Sequence, residues 1–268
     1  MTSEKNTRLD PLDLESPAPP EMVSIPAGVF LLGTSAEQVR KLILQEEWAG
    51  DWDERDMFQA EQPQHSYRLP EYEISRFPIT NAQYHAFVWE TGHRIPRNWD
   101  GFRIPENLHK HPAVEISKQD ASAYCKWLSG KTGSRFRLPT EPEWERAARG
   151  DDDRNYPWGP VYEPFRANTS ESKQSGTTPV GTFSPSGDSP YGIADLCGNV
   201  WEWTSSLLKP YPYKADDGRE RFEENAVYVV RGGSWYYSHK LARCSSREGM
   251  LAGVISPLVG FRVVRSAG

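Results

Sequence analysis

From Gly150 to Ser189 the chain is rich in Asp, Pro, Gly, Ser and Thr, and neither a helical nor a strand period survives there. An irregular stretch of that length demands a fold that carries long loops on a packed body, and such loops are where functional surfaces concentrate. The composition agrees: Gly 21 and Pro 22 stand beside 10 Trp, 12 Tyr and 10 Phe. Each aromatic side chain buries a large area, so a loop-rich domain can be held by fewer and larger core residues. A chain of 268 residues can bury a core without covalent staples. Its net charge of −6, with no Lys/Arg block, speaks against nucleic acid as a partner. No apolar run approaches the ~20 residues of a membrane-spanning helix, so no membrane partner is expected. Residues 1–20 are polar and proline-rich without the apolar stretch of a secretory signal, which predicts a flexible tail before one domain over 21–268 and a cytoplasmic location. Cys125, Cys197 and Cys244 are odd in number and form no CxxC pair, which predicts reduced thiols rather than a disulfide framework or a zinc cage.

Short elements punctuate the rest. Met22 to Gly33 reads as a hairpin around Pro26-Ala27-Gly28, and Ser35 caps an amphipathic helix whose apolar positions are Val39, Leu42 and Ile43. Glu47 to Gln64, acidic and aromatic, shows no period and is expected to be a loop and a second contact surface. Ser66 to Ser75 alternates as a strand broken at Pro70, hence an edge strand. Thr80 caps a helix over 81–91 stopped by Gly92, and Ser117 caps one over 118–129 that places Cys125 in the core. Thr140 with Glu143 forms a capping box for a helix ended by Gly150. Strands are predicted at 227–230 and 259–264, giving an α+β chain of short strands, about three flanking helices and long loops.

Seven segments occur in order: MVSIPAGVFLLG, FPITNAQYHAFV, HPAVEISKQDASAYCKWLSGKTGSRFRLPTEPEWERAARG, YPWG, YGIADLCGNVWEWTSS, VVRGGSW and GFRVVR. Together they resemble the formylglycine-generating-enzyme-like family, or sulfatase-modifying-factor domain, from Met22 to Arg265. The resemblance implies a C-type-lectin-like fold of short twisted antiparallel strands. It leaves function open, because this fold hosts oxidases, sulfoxide synthases and non-catalytic binders, among them the variable proteins of diversity-generating retroelements.

In the oxidase branch, two cysteines after the Gly-Gly-Ser segment bind copper(I) as thiolates, soft ligands for a soft ion. Counted from Ser234, those positions here are Tyr237 and Ala242, so neither copper nor iron is expected. The sulfoxide synthases take their three histidines largely from an extra N-terminal helical domain, whereas here only His109 and His111 form a close pair. The resemblance thus implies a non-catalytic module for a protein or small-molecule ligand; the alternative is a metal-dependent oxidase or sulfoxide synthase with a non-standard metal site. The exposed face of the fold corresponds to segment 235–258, whose candidate ligand-binding residues are Trp235, Tyr236, Tyr237, Ser238, His239, Lys240, Ser245, Glu248, Met250, Leu251, Val254 and Ile255. Rigid aromatic area beside adaptable hydrogen-bonding groups is the chemistry of paratopes. Asp195, Leu196, Gly198, Val200 and Glu202 match the family's calcium loop, where hard oxygens around a Gly-bearing turn suit the ion. Without calcium, Asp195 would cap the turn and Glu202 would bond backbone amides. Asn168 resembles one ligand of a second calcium site, but residues 169–178 lack its aspartate. Arg231 and Arg262 are expected to be buried partners of carboxylates, Glu202 among the candidates.

Overall fold

The computed structural model describes residues 19–266, so the predicted tail lies, except for Pro19 and Pro20, outside the described residues. Pro20 is buried, and both prolines lie beside Tyr124 and Trp127 on the surface of the body.

The expected hairpin at the start does not form. β1 (Met22–Ile25) pairs with β4 (Tyr72–Ser75), while β2 (Gly28–Leu32) pairs with β3 (His65–Leu69). The registers Ile25↔Tyr72 and Gly28↔Leu69 put Pro26-Ala27 opposite Pro70-Glu71, so a long two-stranded ladder is interrupted where each strand carries a residue without an N–H. The proline of Ser66–Ser75 therefore marks a bend rather than an edge: β4 is interior, in a sheet ordered β1-β4-β10-β5 with β5 (Phe136–Arg137) and β10 (Val264–Arg265). The third sheet, β8-β7-β6-β9, comprises β6 (Trp201–Leu207), β7 (Val227–Arg231), β8 (Arg247–Leu251) and β9 (Val259–Gly260). All pairs are antiparallel except β6 with β9. The single strand predicted at 259–264 is divided, because Phe261–Val263 crosses from β6 to β4 and bonds Ile79 and Ser75 on the way.

Five α-helices flank the sheets rather than about three. α1 (Ala36–Gln45) starts at a Ser35/Gln38 capping box. α2 (Glu47–Glu54) runs through the acidic segment expected to be a loop. Its local sequence has no strong period, and the helix is held by a small core of its own in which Trp48 and Trp52 pack with Val39, Leu42, Ala49 and Phe58. α3 (Asn81–Thr91) and α4 (Lys118–Thr132) carry the Thr80 and Ser117 caps and end at left-handed Gly92 and Gly133, one turn beyond prediction for α4. α5 (Glu141–Arg149) has the expected Thr140/Glu143 box and is buried along its whole length. Among the described residues no helix is long and apolar enough to cross a membrane.

The largest core cluster joins α3 and α4 to β6 and β7 through Tyr84, Tyr124, Trp203 and Phe261, with Cys125 inside as expected. Lys118, at the start of α4, is also buried. Its ammonium lies 3.8 Å from the Tyr228 ring centroid and 4.8 Å from that of Phe222, with no carboxylate in ion-pair contact among the described residues and Glu220 acting from further off. Burial pushes this amine down to about 8. Because the unfolded lysine titrates near ~10.4, only the unfolded chain holds the proton between those values, and stability rises with pH across that window. Lys118→Met is expected to stabilise at pH 7 by about 1 kcal/mol, net of the lost cation–π attraction. Urea melts should show that gain fading by pH 10; an equal gain at both pH values would contradict the assignment.

Candidate functional site

The Gly-Gly-Ser turn after β7 fixes where segment 235–242 emerges. Gly232 (φ 92) passes against the Trp144 ring, and Gly233 (φ 71) lies so near Ala242 that an added Cβ would sit 2.8 Å from the Ala242 Cβ. Both positions combine a left-handed backbone with no room for a side chain. Trp235 N then donates to Asn199 O at 3.0 Å, Ser170 N to Tyr237 O at 3.0 Å, and the Tyr237 ring meets Trp201 edge-on. The outer rings are left in solvent, with Tyr236 61% and Tyr237 38% exposed.

Ser238 and His239 enter a polar network. Ser238 Oγ donates to Glu171 Oε1 at 2.7 Å, His239 N bonds the same carboxylate, and Thr169 Oγ1 donates to Glu171 Oε2 at 2.6 Å. The His239 ring stacks on Tyr162 with centroids 4.2 Å apart, and its Nδ1 lies 2.7 Å from Tyr156 Oη. Burial pushes the imidazole below its ordinary value, against the opposing pull of Glu171 and Glu46. Burial likewise lifts the Glu171 carboxyl, but Thr169, Ser238 and His239 outweigh it and hold the group below the usual range. Trp48 of α2 reaches this cluster, edge-on to His239 at 6.0 Å, with Lys240 Nζ 5.5 Å from a Trp48 ring. The acidic-aromatic segment and the Tyr236 face, two separate expectations in sequence, thus adjoin. Trp48, Tyr156, Tyr162 and Glu171 were absent from the predicted set; the i, i+4 tryptophans 48 and 52 were the one local sign.

The remaining predicted ligand residues are dispersed. Ser245 is buried, its hydroxyl donating to Glu61 at 2.8 Å, so it does not reach the surface. Met250 packs partly against the main core, and Val254 and Ile255 are half-buried. Glu248 and Leu251 are exposed on β8, away from the Tyr236 turn in sequence and element.

At the two thiolate positions the structure has an exposed phenol, Tyr237, and a fully buried methyl, Ala242. All three cysteines are free and buried, and burial pushes the Cys125 and Cys244 thiols up to about 12 and Cys197 well above its ordinary value. Thiols so raised are poor sources of thiolate. Among the described residues no group of three or more His, Cys, Asp or Glu is placed to hold a metal ion.

The predicted calcium loop is a tight turn, with Asp195 (φ 56), Gly198 (φ 78) and Asn199 (φ 63) left-handed. Asp195 Oδ2 accepts from Gly181 N at 2.7 Å, and burial lifts the carboxyl to about 6. Glu202 does not fit a calcium ligand. Its carboxylate takes Arg262 Nε at 2.6 Å, Arg262 Nη2 at 2.7 Å and Trp144 Nε1 at 2.6 Å, which neutralises its charge and takes three of its roughly four lone-pair sites. Leu196 and Val200 are buried, and Gly198 N bonds Gly232 O, tying the loop to the Gly-Gly-Ser turn. Asn168 and Asn199 bond one another and the Gly176–Thr178 backbone, occupying the one side chain, Asn168, that resembled a ligand of a second calcium site. Arg231, the other expected buried cation, pairs with Glu145 and donates to the carbonyls of Cys244, Ser245 and Ser246.

Comparison with known proteins agrees with this architecture. A family model, the sulfatase-modifying factor enzyme 1-like domain, matches residues 10–267. The mouse protein named inactive C-alpha-formylglycine-generating enzyme 2 is 30% identical over 93% of this chain and 87% of its own. Among solved structures, PvdO from Pseudomonas aeruginosa superposes with a TM-score of 0.72 at 27% identity, covering 92% of this chain and 95% of PvdO. Treponema denticola variable protein 1 shares the fold, with a TM-score of 0.69 at 21% identity over 91% of this chain and 94% of its own. Ordered motifs, sheet topology and near-complete coverage converge: this chain belongs to the sulfatase-modifying factor enzyme 1-like domain family.

Proposed function

We propose that this protein is a non-catalytic recognition module that takes a protein or small-molecule target on the face built by Trp235–Lys240 with Trp48 beside it. The observation that carries the reading is the replacement of both thiolate positions by Tyr237 and Ala242, the second packed against Gly233 where no ligand could be presented. The similarity to a mouse relative named as inactive supports the same reading. Chemically, the face offers two exposed phenols on a turn pinned by Asn199 and Glu171, large contact area at low entropic cost. The tight Asp195–Glu202 loop is, in this proposal, braced by Arg262 in place of calcium.

Two measurements test it. Titration with copper(I) against a chelating competitor should leave the metal with the competitor, and a cysteine-containing peptide should cause no oxygen consumption. Retained stoichiometric copper, or thiol-dependent oxygen uptake, would overturn the reading. Peptide-display selection on the wild-type protein should yield binders that weaken about tenfold or more with Tyr236→Ala/Tyr237→Ala. Tyr236 is exposed and Tyr237 is partly covered by Trp201, so that variant should cost about 1–2 kcal/mol and still melt cooperatively. Binders indifferent to the substitution would place recognition elsewhere.

A further inference from the structure

β8 ends its sheet, with only β7 beside it. Ala252 N donates to Ala226 O, which sets the phase of the ladder: Met250 and Glu248 are the hydrogen-bonded partners of Tyr228 and Val230. The backbone groups of Arg247, Gly249 and Leu251 therefore face the open side. Among the described residues, Leu251 N–H and Gly249 C=O have no backbone partner there, and Gly249 N is held only by the carboxylate of its own neighbour Glu248, at 2.9 Å. An open edge is a template for another strand unless it is blunted, and among the described residues no strand pairs with this one.

Its surroundings specify what fits. Leu208 and Val227 close over Gly249, where an added Cβ would meet them at 2.6 and 2.9 Å, and with Leu251 they form an exposed apolar strip. At the Arg247 end the strip runs into a groove of about 600 Å³ lined by Asp56, Gln59, Gln62, Leu208 and Tyr211. Of the two basic groups there, Arg247 is neutralised by Glu141 at 2.7 and 2.8 Å, and Lys209 Nζ is turned to the Asp217 carbonyl. Asp56 and Glu248 are exposed and have no cationic partner among the described residues. One unpaired carboxylate, Asp56, thus lines the groove, and another, Glu248, stands at the edge.

We propose that the open edge of β8 takes an extended peptide segment of a partner protein as an added strand, with an apolar side chain on the Leu208–Val227–Leu251 strip and a Lys or Arg toward Asp56 and Glu248. Strand addition draws affinity from main-chain hydrogen bonds and specificity from alternate side chains, which matches the free Leu251 N–H and Gly249 C=O beside one apolar strip and two unpaired carboxylates. The proposal goes beyond the reading of Trp235–Lys240 as the recognition face and concerns a separate surface, β8, without Tyr236 or Tyr237.

The probe is a fluorescein-labelled peptide, Lys-Val-Thr-Val-Thr-Lys, titrated by polarisation against the full chain. Saturable binding is expected, weakened about tenfold or more by N-methylation of alternate residues. Leu251→Pro, which removes one outward N–H at an edge where proline is tolerated, should abolish it. Glu248→Arg should shift preference to a Glu-flanked peptide. Tyr236→Ala/Tyr237→Ala should leave this binding unchanged even where it removes binding of display-selected peptides, so the two readings fail separately. Absence of binding, indifference to N-methylation, or self-association of the protein that Leu251→Pro dissolves would each overturn the proposal, the last by making a second copy the occupant. Should Leu251→Pro fail to fold, the N-methylated peptides and Glu248→Arg still decide.

Discussion

Glu202→Ala is expected to destabilise the protein by about 3–5 kcal/mol, the cost of removing one partner from a buried ion pair. Glu202 is fully buried and, among the described residues, is the one carboxylate bonded to the Arg262 guanidinium, whose other donors go to the carbonyls of Ser75, Arg76 and Ala194. Alanine would leave a buried cation uncompensated and orphan the Trp144 indole N–H as well. In a domain of this size the melting temperature should fall by roughly 6–20 °C. Replacing both partners, as Glu202→Leu with Arg262→Met, should recover most of the loss, since an apolar pair has no charge to desolvate. The same melts address calcium: with Arg262 as the counter-charge, a chelator should leave the wild-type transition in place. A loss below about 1 kcal/mol in Glu202→Ala, or a wild-type melt lowered by chelator, would contradict an Arg262-braced loop.

Glu61→Ala is expected to cost a similar ~3–5 kcal/mol and to act on the recognition face directly. Glu61 accepts from Arg243 at 2.9 and 2.6 Å, from Ser245 Oγ at 2.8 Å and from Thr34 Oγ1 at 2.9 Å, tying the end of the α2 segment to the turn after Gly233. Burial by itself would raise this carboxyl, but Arg243 and the two hydroxyls hold it below its ordinary value. A depressed carboxylate lends stability above its unfolded pKa and loses it as pH falls through the folded value, so the gap between wild type and Glu61→Ala should narrow in acid. Trp48 and Trp52 ring the Arg243 guanidinium at 5.7 and 5.6 Å, so loss of the pair should also free α2. Hydrogen exchange should then accelerate over residues 46–58. Unchanged exchange there would mean that the small aromatic core alone holds α2 in place.

The helix caps were legible because a cap is a local bargain: Ser35, Thr80, Ser117 and Thr140 each satisfy N–H groups three residues away. The missing thiols were equally legible, since the identities of Tyr237 and Ala242 need no structure. Pairings were not. β1 and β2 read as partners because they are adjacent, whereas their true partners lie about 33 to 53 residues on and meet at opposed prolines. β6 went unread, its first residues falling in the stretch read as an ion-binding loop, because a strand buried on both faces lacks alternation.

The candidate site divides along the same line. From residues alone came the family, the α+β class, the absence of a copper thiolate pair and the aromatic content of 235–240, all properties of residue type and order. Only the tertiary structure decided that Trp48 stands over His239, that Ser245 is sealed against Glu61, and that Glu202 belongs to Arg262. Those are contacts between residues about 60 to 190 positions apart, and sequence spacing carries no information on which buried charge meets which until packing and desolvation select the pairs.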